Sequence, residues 1–322
     1  MDTQKTKSFL KKAWKITSYS TGYALGGGVT QVFTLYYMGF LMFAMGLPPL
    51  LAGAVIAIGK IWDGFIDPIM GILVDRTKTR FGSCRPWFLA SAIPVFLSYF
   101  MLWYCFGIEG NLGRFFYFLF AQFCFSTAYS MGTVPYEAIL PKIVDSYNER
   151  TNYSSLRFVF SGIASVGGSF IYSAMIPAET VEEYVGMDMN FMKMGLVLGA
   201  IFAIPLLITF IGTKEKPRID TISRQKDSLK STFKSYGELL KSKLYVKCYI
   251  LTMLGAFLYY AIAVTLVIYV LLIYGNRHYD NFPIFGTITL ALLVVNIRDL
   301  FESALFVPNF FIMKKFGKHR PF

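Results

Sequence analysis

The sequence predicts an all-α polytopic membrane protein, and three observations lead to that prediction. Of the 322 residues, 55% are hydrophobic and 18% are aromatic, and the mean hydropathy is +0.51. The apolar residues form long runs without charge, such as 16–59, and a soluble domain of this size could not bury them. The basic residues lie mainly in the N-terminal tail and in alternate loops between these runs.

The net charge of +12 is also typical of nucleic-acid-binding proteins, but its restriction to alternate loops indicates membrane topology instead. We therefore expect a lipid bilayer and no nucleic acid as partner, a multi-pass location in the cell membrane, and a cytoplasmic N-terminus. The apolar run after the tail is too long for a cleaved signal peptide. The four cysteines have no metal or redox spacing, and no nucleophile–base motif or P-loop is present. We therefore expect no enzyme, no bound metal and no cofactor other than a coupling cation, H⁺ or Na⁺.

The apolar runs divide into eight predicted spans. Pro48-Pro49 separates the first two, and the basic stretch 213–243 predicts a soluble linker between the sixth and the seventh. The predicted spans are 17–45, 49–74, 87–107, 114–140, 153–176, 191–212, 246–274 and 282–313. The charged stretch 142–152 is predicted to be a loop. The domain prediction is a six-helix bundle over 1–212, the cytoplasmic linker 213–243, and an incomplete second bundle over 244–322.

The second predicted span carries charges on one helix face. Lys60, Asp63 and Asp67 lie at positions i, i+3 and i+7. A charge in hydrocarbon costs about 2.5–3.5 kcal/mol, so such residues usually face a bundle interior or a watery cavity. One cation cannot neutralise two carboxylates, and the spare anion suits a transported cation. The alternative is that Lys60 neutralises the carboxylates only to allow packing.

A short motif occurs twice at matching places in the predicted topology. The stretch 81–88, which follows span 2, is echoed by 316–322 after span 8. The repeat implies two related six-span halves in parallel orientation, the pattern of major facilitator transporters. On this interpretation the chain holds one six-span half, the linker and the first two spans of the second half, and is truncated before spans 9–12.

The charged span and the loop after it resemble a known family. The stretches 60–71 and 76–87, with 134–141, are similar to the signature of the glycoside–pentoside–hexuronide:cation symporters (melibiose permease-like). The resemblance implies that Asp63 and Asp67 are cation-site carboxylates and that Lys60 is the basic residue one turn before them. It also implies that the Ser130 hydroxyl assists the cation and that Arg157 binds sugar, although Arg157 could instead snorkel at its helix end.

This chain departs from the family pattern at four positions. Gly27 and Thr133 stand where melibiose permease-like members have sugar-binding carboxylates. Ile66 replaces an amide that helps coordinate sodium, and Glu137 replaces a tryptophan that lines the sugar site. Glu137 could also pair with a base in a loop. Tyr23 and other aromatic residues could stack on a sugar ring or serve as core. The departures argue against galactoside specificity and against sodium coupling. The predicted substrate-binding residues are Lys60, Arg157, Thr133, Glu137, Gly27 and Tyr23.

These observations predict a secondary active transporter that symports a glycoside, oligosaccharide, pentoside or hexuronide with a cation. A proton is favoured over sodium, with Asp67 as its carrier because Lys60 lies nearer to Asp63. A cytoplasmic latch is expected from charges around the second loop, and the full-length protein is expected to be a monomer. The alternatives are a non-transporting remnant and a lipid or lysolipid carrier. The expected latch residues are Asp75, Arg76, Arg80 and Arg85.

Overall fold

The computed structural model describes residues 2–176, 186–215, 241–243 and 245–255, together with three single positions further on, Leu258, Ala261 and Thr265. This part of the chain is helical, so the predicted all-α class is confirmed. Two π-helical turns interrupt the first span, and residues 245–255 are also helical. In chain order the α-helices are α1 (Asp2–Thr21), α2 (Thr30–Gly39), α3 (Pro49–Arg76), α4 (Arg85–Leu102), α5 (Asn111–Ile143), α6 (Tyr147–Met175) and α7 (Asp188–Gly212).

Four of these helices are long and apolar enough to cross a bilayer by length and composition. They are α3, α4, α7 and the part of α6 from Glu149 to Met175. The longest helix, α5, has 33 residues and occupies the predicted fourth span. The helical segment 245–255 overlaps the start of the predicted seventh span, 246–274. The linker from 216 to 240, the eighth span and the second copy of the repeat lie outside the described residues.

The first span is one interrupted helix. It consists of the end of α1, a π turn at Leu25–Val29, α2, and a second π turn at Phe40–Ala44. Within the first π turn, a Cβ atom on Gly27 would lie only 2.8 Å from the Ser161 carbonyl oxygen. The absence of that atom lets the backbone of α6 approach this turn closely.

Two predicted boundaries are wrong, and hydrogen bonds explain both. Helix α6 begins at Tyr147, so only 144–146 remain of the predicted loop 142–152 that precedes it. The Arg150 side chain donates to the Val144 carbonyl at 2.9 Å, which closes this short connection. Helix α4 ends at Leu102 and not at 107, and the Tyr117 hydroxyl binds a carbonyl in its last turn and one just beyond it.

The helices pack around α4 and α5. Helix α4 contacts both α5 and α7, α3 packs on α5, and α1 packs on α6 and α7. The largest buried side chains are aromatic and gather where α2 and α4 end and α7 begins. They include Tyr37, Tyr99, Trp103, Tyr172 and Phe191. Each aromatic ring buries about 150–250 Å². A large part of the aromatic core therefore lies at the opposite end of the bundle from loop 77–84.

Candidate cation and substrate sites

The charged face of α3 contains two carboxylates with different partners. Lys60 Nζ donates to Asp63 Oδ2 at 3.1 Å. Asp67 Oδ1 accepts a hydrogen bond from Ser130 Oγ at 2.5 Å. Lys60 and Asp63 belong to α3 alone, whereas the Asp67 bond joins α3 to α5. The two acids, one helical turn apart, are therefore held in different electrostatic environments.

A neighbouring hydrogen bond fixes α3 against α5. Trp62 Nε1 donates to Thr127 Oγ1 at 3.1 Å, and the indole lies 4.9 Å from the Phe123 ring. Thr127 is one turn before Ser130 on α5. This contact sets the register in which Ser130, itself only 1% exposed, meets Asp67.

The proline after Asp67 changes which backbone oxygens are available. Pro68 lies inside α3 and has no N–H, so it cannot donate to the Gly64 carbonyl one turn earlier. A Cβ on Gly64 would meet no atom within 4 Å, so the space beside this turn is open. The site can therefore offer carboxylate, hydroxyl and carbonyl oxygens, which are the ligands that hard cations prefer.

A cavity of about 350 Å³ lies between the first span and α5. Its walls are aromatic rings and hydroxyl groups, with one carboxylate at one end. The lining includes Tyr23, Gly26, Thr30, Tyr129, Thr133 and Glu137. Thr133 lies one turn beyond Ser130, so α5 serves both this cavity and the α3 charges.

An ion pair borders the cavity. Arg157 on α6 donates to Glu137 Oε2 at 2.7 Å, and its guanidinium carbon lies 4.7 Å from the centre of the Tyr23 ring. The Arg157 side chain is only 15% exposed, and a partly buried cation of this kind needs a carboxylate partner. The pair and the ring together hold the guanidinium beside the cavity wall.

The structure places most of the predicted substrate residues around this cavity. Tyr23, Thr133 and Glu137 line it, and Arg157 reaches it through Glu137. Gly27, which lies against α6, and Lys60, which pairs with Asp63 on α3, are not among the lining residues. The cavity also uses residues that the sequence pattern did not single out, among them Thr30 and Tyr136.

The predicted latch residues lie around the loop between α3 and α4. Asp75 and Arg76 form the last turn of α3. Arg80 stacks its guanidinium 4.7 Å from the centre of the Phe81 ring. Arg85 donates twice to the Phe210 carbonyl at the end of α7, at 2.7 and 3.3 Å. Arg85 thus fixes the loop to the end of α7.

Comparison with known proteins identifies the family. The model of the MFS/sugar transport protein family matches residues 18–322. The chain belongs to this family. It is therefore a multi-pass membrane protein of a transporter family, for which a small-molecule substrate and a lipid bilayer are the ordinary partners.

Three curated relatives named as symporters match part of this chain. An uncharacterized symporter of Synechocystis is 36% identical over 164 residues, which cover 48% of this chain and 29% of that protein. The sodium-dependent lysophosphatidylcholine symporter 1-A of Danio rerio is 31% identical over 159 residues, 48% of this chain and 30% of the relative. The inner membrane symporter YicJ of Escherichia coli is 27% identical over 199 residues, which cover 61% of this chain and 42% of that protein. The chain thus spans less than half the length of these three relatives.

Proposed function

We propose that the protein is a cation-coupled symporter in which Asp67 and Ser130 form the core of the cation site. The observation that carries the proposal is the unequal pairing on α3. Lys60 neutralises Asp63, and Asp67 is held only by a hydroxyl among the contacts described for it here. A cation that binds at Asp67 neutralises the remaining negative charge on this face of α3. Neutralisation lowers the free-energy cost of enclosing the site away from water during the transport cycle.

A proton is the coupling ion that this site favours. Sodium requires several oxygen ligands in a fixed shell, and Ile66 brings no oxygen to the position where an amide would help. A proton requires one carboxylate in a suitable environment. Asp67 is that carboxylate, since Lys60 is engaged with Asp63 at 3.1 Å. The oxygens of Ser130 and of the Gly64 carbonyl are the features that would favour sodium instead.

For the substrate, we propose a glycoside, oligosaccharide, pentoside or hexuronide bound in the cavity between the first span and α5. Aromatic rings can stack on a sugar face, and hydroxyl groups such as those of Thr30 and Thr133 can hydrogen-bond to sugar hydroxyls. The cavity volume of about 350 Å³ lies at the lower end of the range for small-molecule sites. The family description, which names sugar transport, supports the same substrate class.

A lysolipid is the second candidate substrate. The relative from Danio rerio carries lysophosphatidylcholine in its name, and the chain matches it at 31% identity. The cavity walls would suit a zwitterionic headgroup as well, because the Arg157–Glu137 pair offers one charge of each sign.

The proposed cycle uses the architecture of the family. The cation binds at Asp67 and the substrate binds in the cavity, and α5 contributes to both sites. The loaded bundle 1–212 then rocks against a second bundle. That second bundle begins at 244, after the linker 213–243. Loop 77–84, with Asp75 and Arg85 at its two ends, is the proposed cytoplasmic latch. We place the N-terminus in the cytoplasm and the protein, as a monomer, in the cell membrane.

Uptake into vesicles tests the function. Radiolabelled sugars are supplied to vesicles that contain the full-length gene product, with a proton gradient, a sodium gradient or neither, and external pH is recorded when substrate is added. We expect sugar uptake with alkalinisation of the medium and no need for sodium. Sodium-stimulated uptake without proton movement would contradict proton coupling. Competition by lysophosphatidylcholine but not by sugars would favour the second candidate, and no uptake of either class would refute the proposal.

A further inference from the structure

Glu215 lies three residues after the end of α7, and its carboxylate accepts three backbone hydrogen bonds from the start of α4. Oε2 accepts from the Ser83 N–H at 2.9 Å. Oε1 accepts from the N–H groups of Cys84 at 2.8 Å and Arg85 at 2.9 Å. The three donors are consecutive in the chain and converge on one side chain 130 positions or more away.

Two of these donors, the N–H groups of Cys84 and Arg85, are groups that a helix start leaves without partners, and the Ser83 N–H lies one residue before them. The first N–H groups of an α-helix have no internal acceptor, and the helix dipole favours a negative charge there. Usually the residue before the helix supplies the acceptor, but Cys84 makes no such side-chain bond. Here the acceptor is the carboxylate of Glu215, which follows α7 at the end of the six-span bundle.

A second set of contacts joins the start of α4 to the end of α7, and here the side chain comes from α4. The Arg85 side chain donates to the Phe210 carbonyl, and its guanidinium lies 4.9 Å from the centre of the Phe210 ring. Gly82 has φ of +106°, and a Cβ there would lie only 2.6 Å from Glu215 Oε2. The loop backbone is thus shaped to receive this carboxylate.

The end of α5 joins the same cluster. Lys142 Nζ donates to Ser83 Oγ at 2.8 Å and contacts Cys84 Sγ at 3.0 Å. Cys84 is fully buried beneath these contacts, and burial raises the pKa of its thiol, against the opposing effect of Lys142. A thiol in this state reacts slowly with reagents that attack the thiolate.

We propose that Glu215 is a positioning residue that holds α4, α5, α7 and loop 77–84 together as one body. The carboxylate fixes the loop at the proposed latch, and it does so from the first residues of the linker. Arg85 can then reach the Phe210 carbonyl only while Glu215 keeps the start of α4 in place. When Glu215 leaves the amide groups, the loop separates from α7 and Cys84 becomes accessible.

The rate at which a membrane-permeant maleimide labels Cys84 tests this proposal independently of transport. The full-length gene product is used in membranes, with Cys105, Cys124 and Cys248 replaced by Ser. We expect Glu215→Ala to raise the labelling rate by about tenfold or more, the factor that loss of one charge-assisted hydrogen bond carries. Glu215→Asp, which keeps the charge, should restore most of the protection. Lys214→Gln changes the neighbouring exposed residue and is the matched control.

Chemical rescue separates positioning from general loss of structure. Removing the carboxylate leaves three converging N–H groups, so added formate should occupy them and slow the labelling of Glu215→Ala, whereas chloride at equal ionic strength should not. Protection of Cys84 in Glu215→Ala equal to that of the parent protein would overturn the proposal. So would faster labelling that neither formate nor Glu215→Asp reverses.

The transport consequence rests on the proposed function and is read separately. In the uptake assay we expect Glu215→Ala to lower the maximal rate several-fold and to leave the substrate concentration at half-maximal rate unchanged, because the cavity residues are not touched. If labelling changes as expected and the parent protein transports neither sugar nor lysophosphatidylcholine, the positioning role of Glu215 stands and the proposed function fails. If uptake is normal and labelling does not change, the positioning role of Glu215 fails alone.

Discussion

Two charge centres lie along α5, one where Ser130 meets α3 and one at Glu137, two turns further on, and they differ in the balance of their charges. On the α3 side, one lysine accompanies two carboxylates, Asp63 and Asp67. On the α6 side, Arg157 and Glu137 form a pair with one charge of each sign. A balanced pair can stay in place while a bundle closes around it, whereas an excess carboxylate requires a partner from outside. This difference supports our proposal that the coupling ion binds on the α3 side and a neutral or zwitterionic substrate on the α6 side.

Removing the excess charge is expected to have the largest effect. Asp67→Asn keeps the shape of the side chain and removes its charge, so cation-coupled accumulation should be abolished while membrane insertion stays intact. Asp63→Asn should do the same, because it leaves Lys60 to compete with the transported cation. Uphill accumulation of substrate in vesicles and the amount of protein in the membrane are measured together. Normal accumulation in both variants would rule out this site.

The hydroxyl that holds Asp67 is expected to come next. Ser130→Ala removes a hydrogen bond to a charged group, worth about 1.5–3 kcal/mol, so cation affinity should change by about tenfold to a hundredfold. Ser126→Ala, one turn earlier on α5 and also buried, is the control and should behave like the parent. The measurement is the cation dependence of uptake. Equal cation dependence in Ser130→Ala and Ser126→Ala would contradict a role for this hydroxyl.

Unbalancing the other centre is expected to alter substrate selection. Glu137→Gln leaves the Arg157 guanidinium without its carboxylate beside the cavity, so affinity for a neutral sugar should fall about tenfold and an acidic analogue should compete better. Glu149→Gln is a matched control, because the Lys12–Glu149 pair has the same 2.7 Å separation but both side chains are exposed. Competition binding measures both variants. An equal change of substrate affinity in Glu137→Gln and Glu149→Gln would show that the Arg157–Glu137 pair has no specific role in substrate binding.

Neutralising Lys60 is expected to have the smallest effect on stability and a modest one on coupling. The Lys60 side chain is 59% exposed, and exposed pairs contribute about 0–1 kcal/mol. Lys60→Gln should therefore leave the melting temperature nearly unchanged and change cation affinity less than Ser130→Ala does. Thermal unfolding in detergent and cation-dependent uptake are the two measurements. A loss of activity as complete as that of Asp67→Asn would show that Lys60 is desolvated during the cycle.

Much of the architecture could be predicted because hydropathy and helical spacing are local properties. The uncharged runs predict the helices, and the i, i+3, i+7 spacing of Lys60, Asp63 and Asp67 predicts their common face. The start of α6 could not be predicted in this way. Its first turn carries Glu149 and Arg150, and charges of this kind predict a loop. In the structure the Glu149 carboxylate instead lies where the helix dipole favours an acid. The Arg150 side chain binds the Val144 carbonyl and so closes the connection between α5 and α6.

The partners of the charged residues were harder to predict because they depend on packing between distant segments. Nothing local to Glu137 indicates that Arg157 is its partner, although the two lie only 20 positions apart on adjacent helices. Glu215 is one of four acids in the basic stretch 213–243, and its three acceptor bonds span more than a hundred residues of chain. Its one sequence signal is that it stands immediately after the end of a predicted span.

The π turn at Leu25–Val29 has a consequence for matching this span to those of relatives. A π turn is the way in which a helix accommodates one surplus residue without rotating everything beyond it. Position-by-position alignment across the three glycines is therefore ambiguous by one place. The cavity is lined by Gly26, while Gly27 faces α6. On the first span, Gly26, one step before the residue that simple counting selects, is therefore the position beside the cavity.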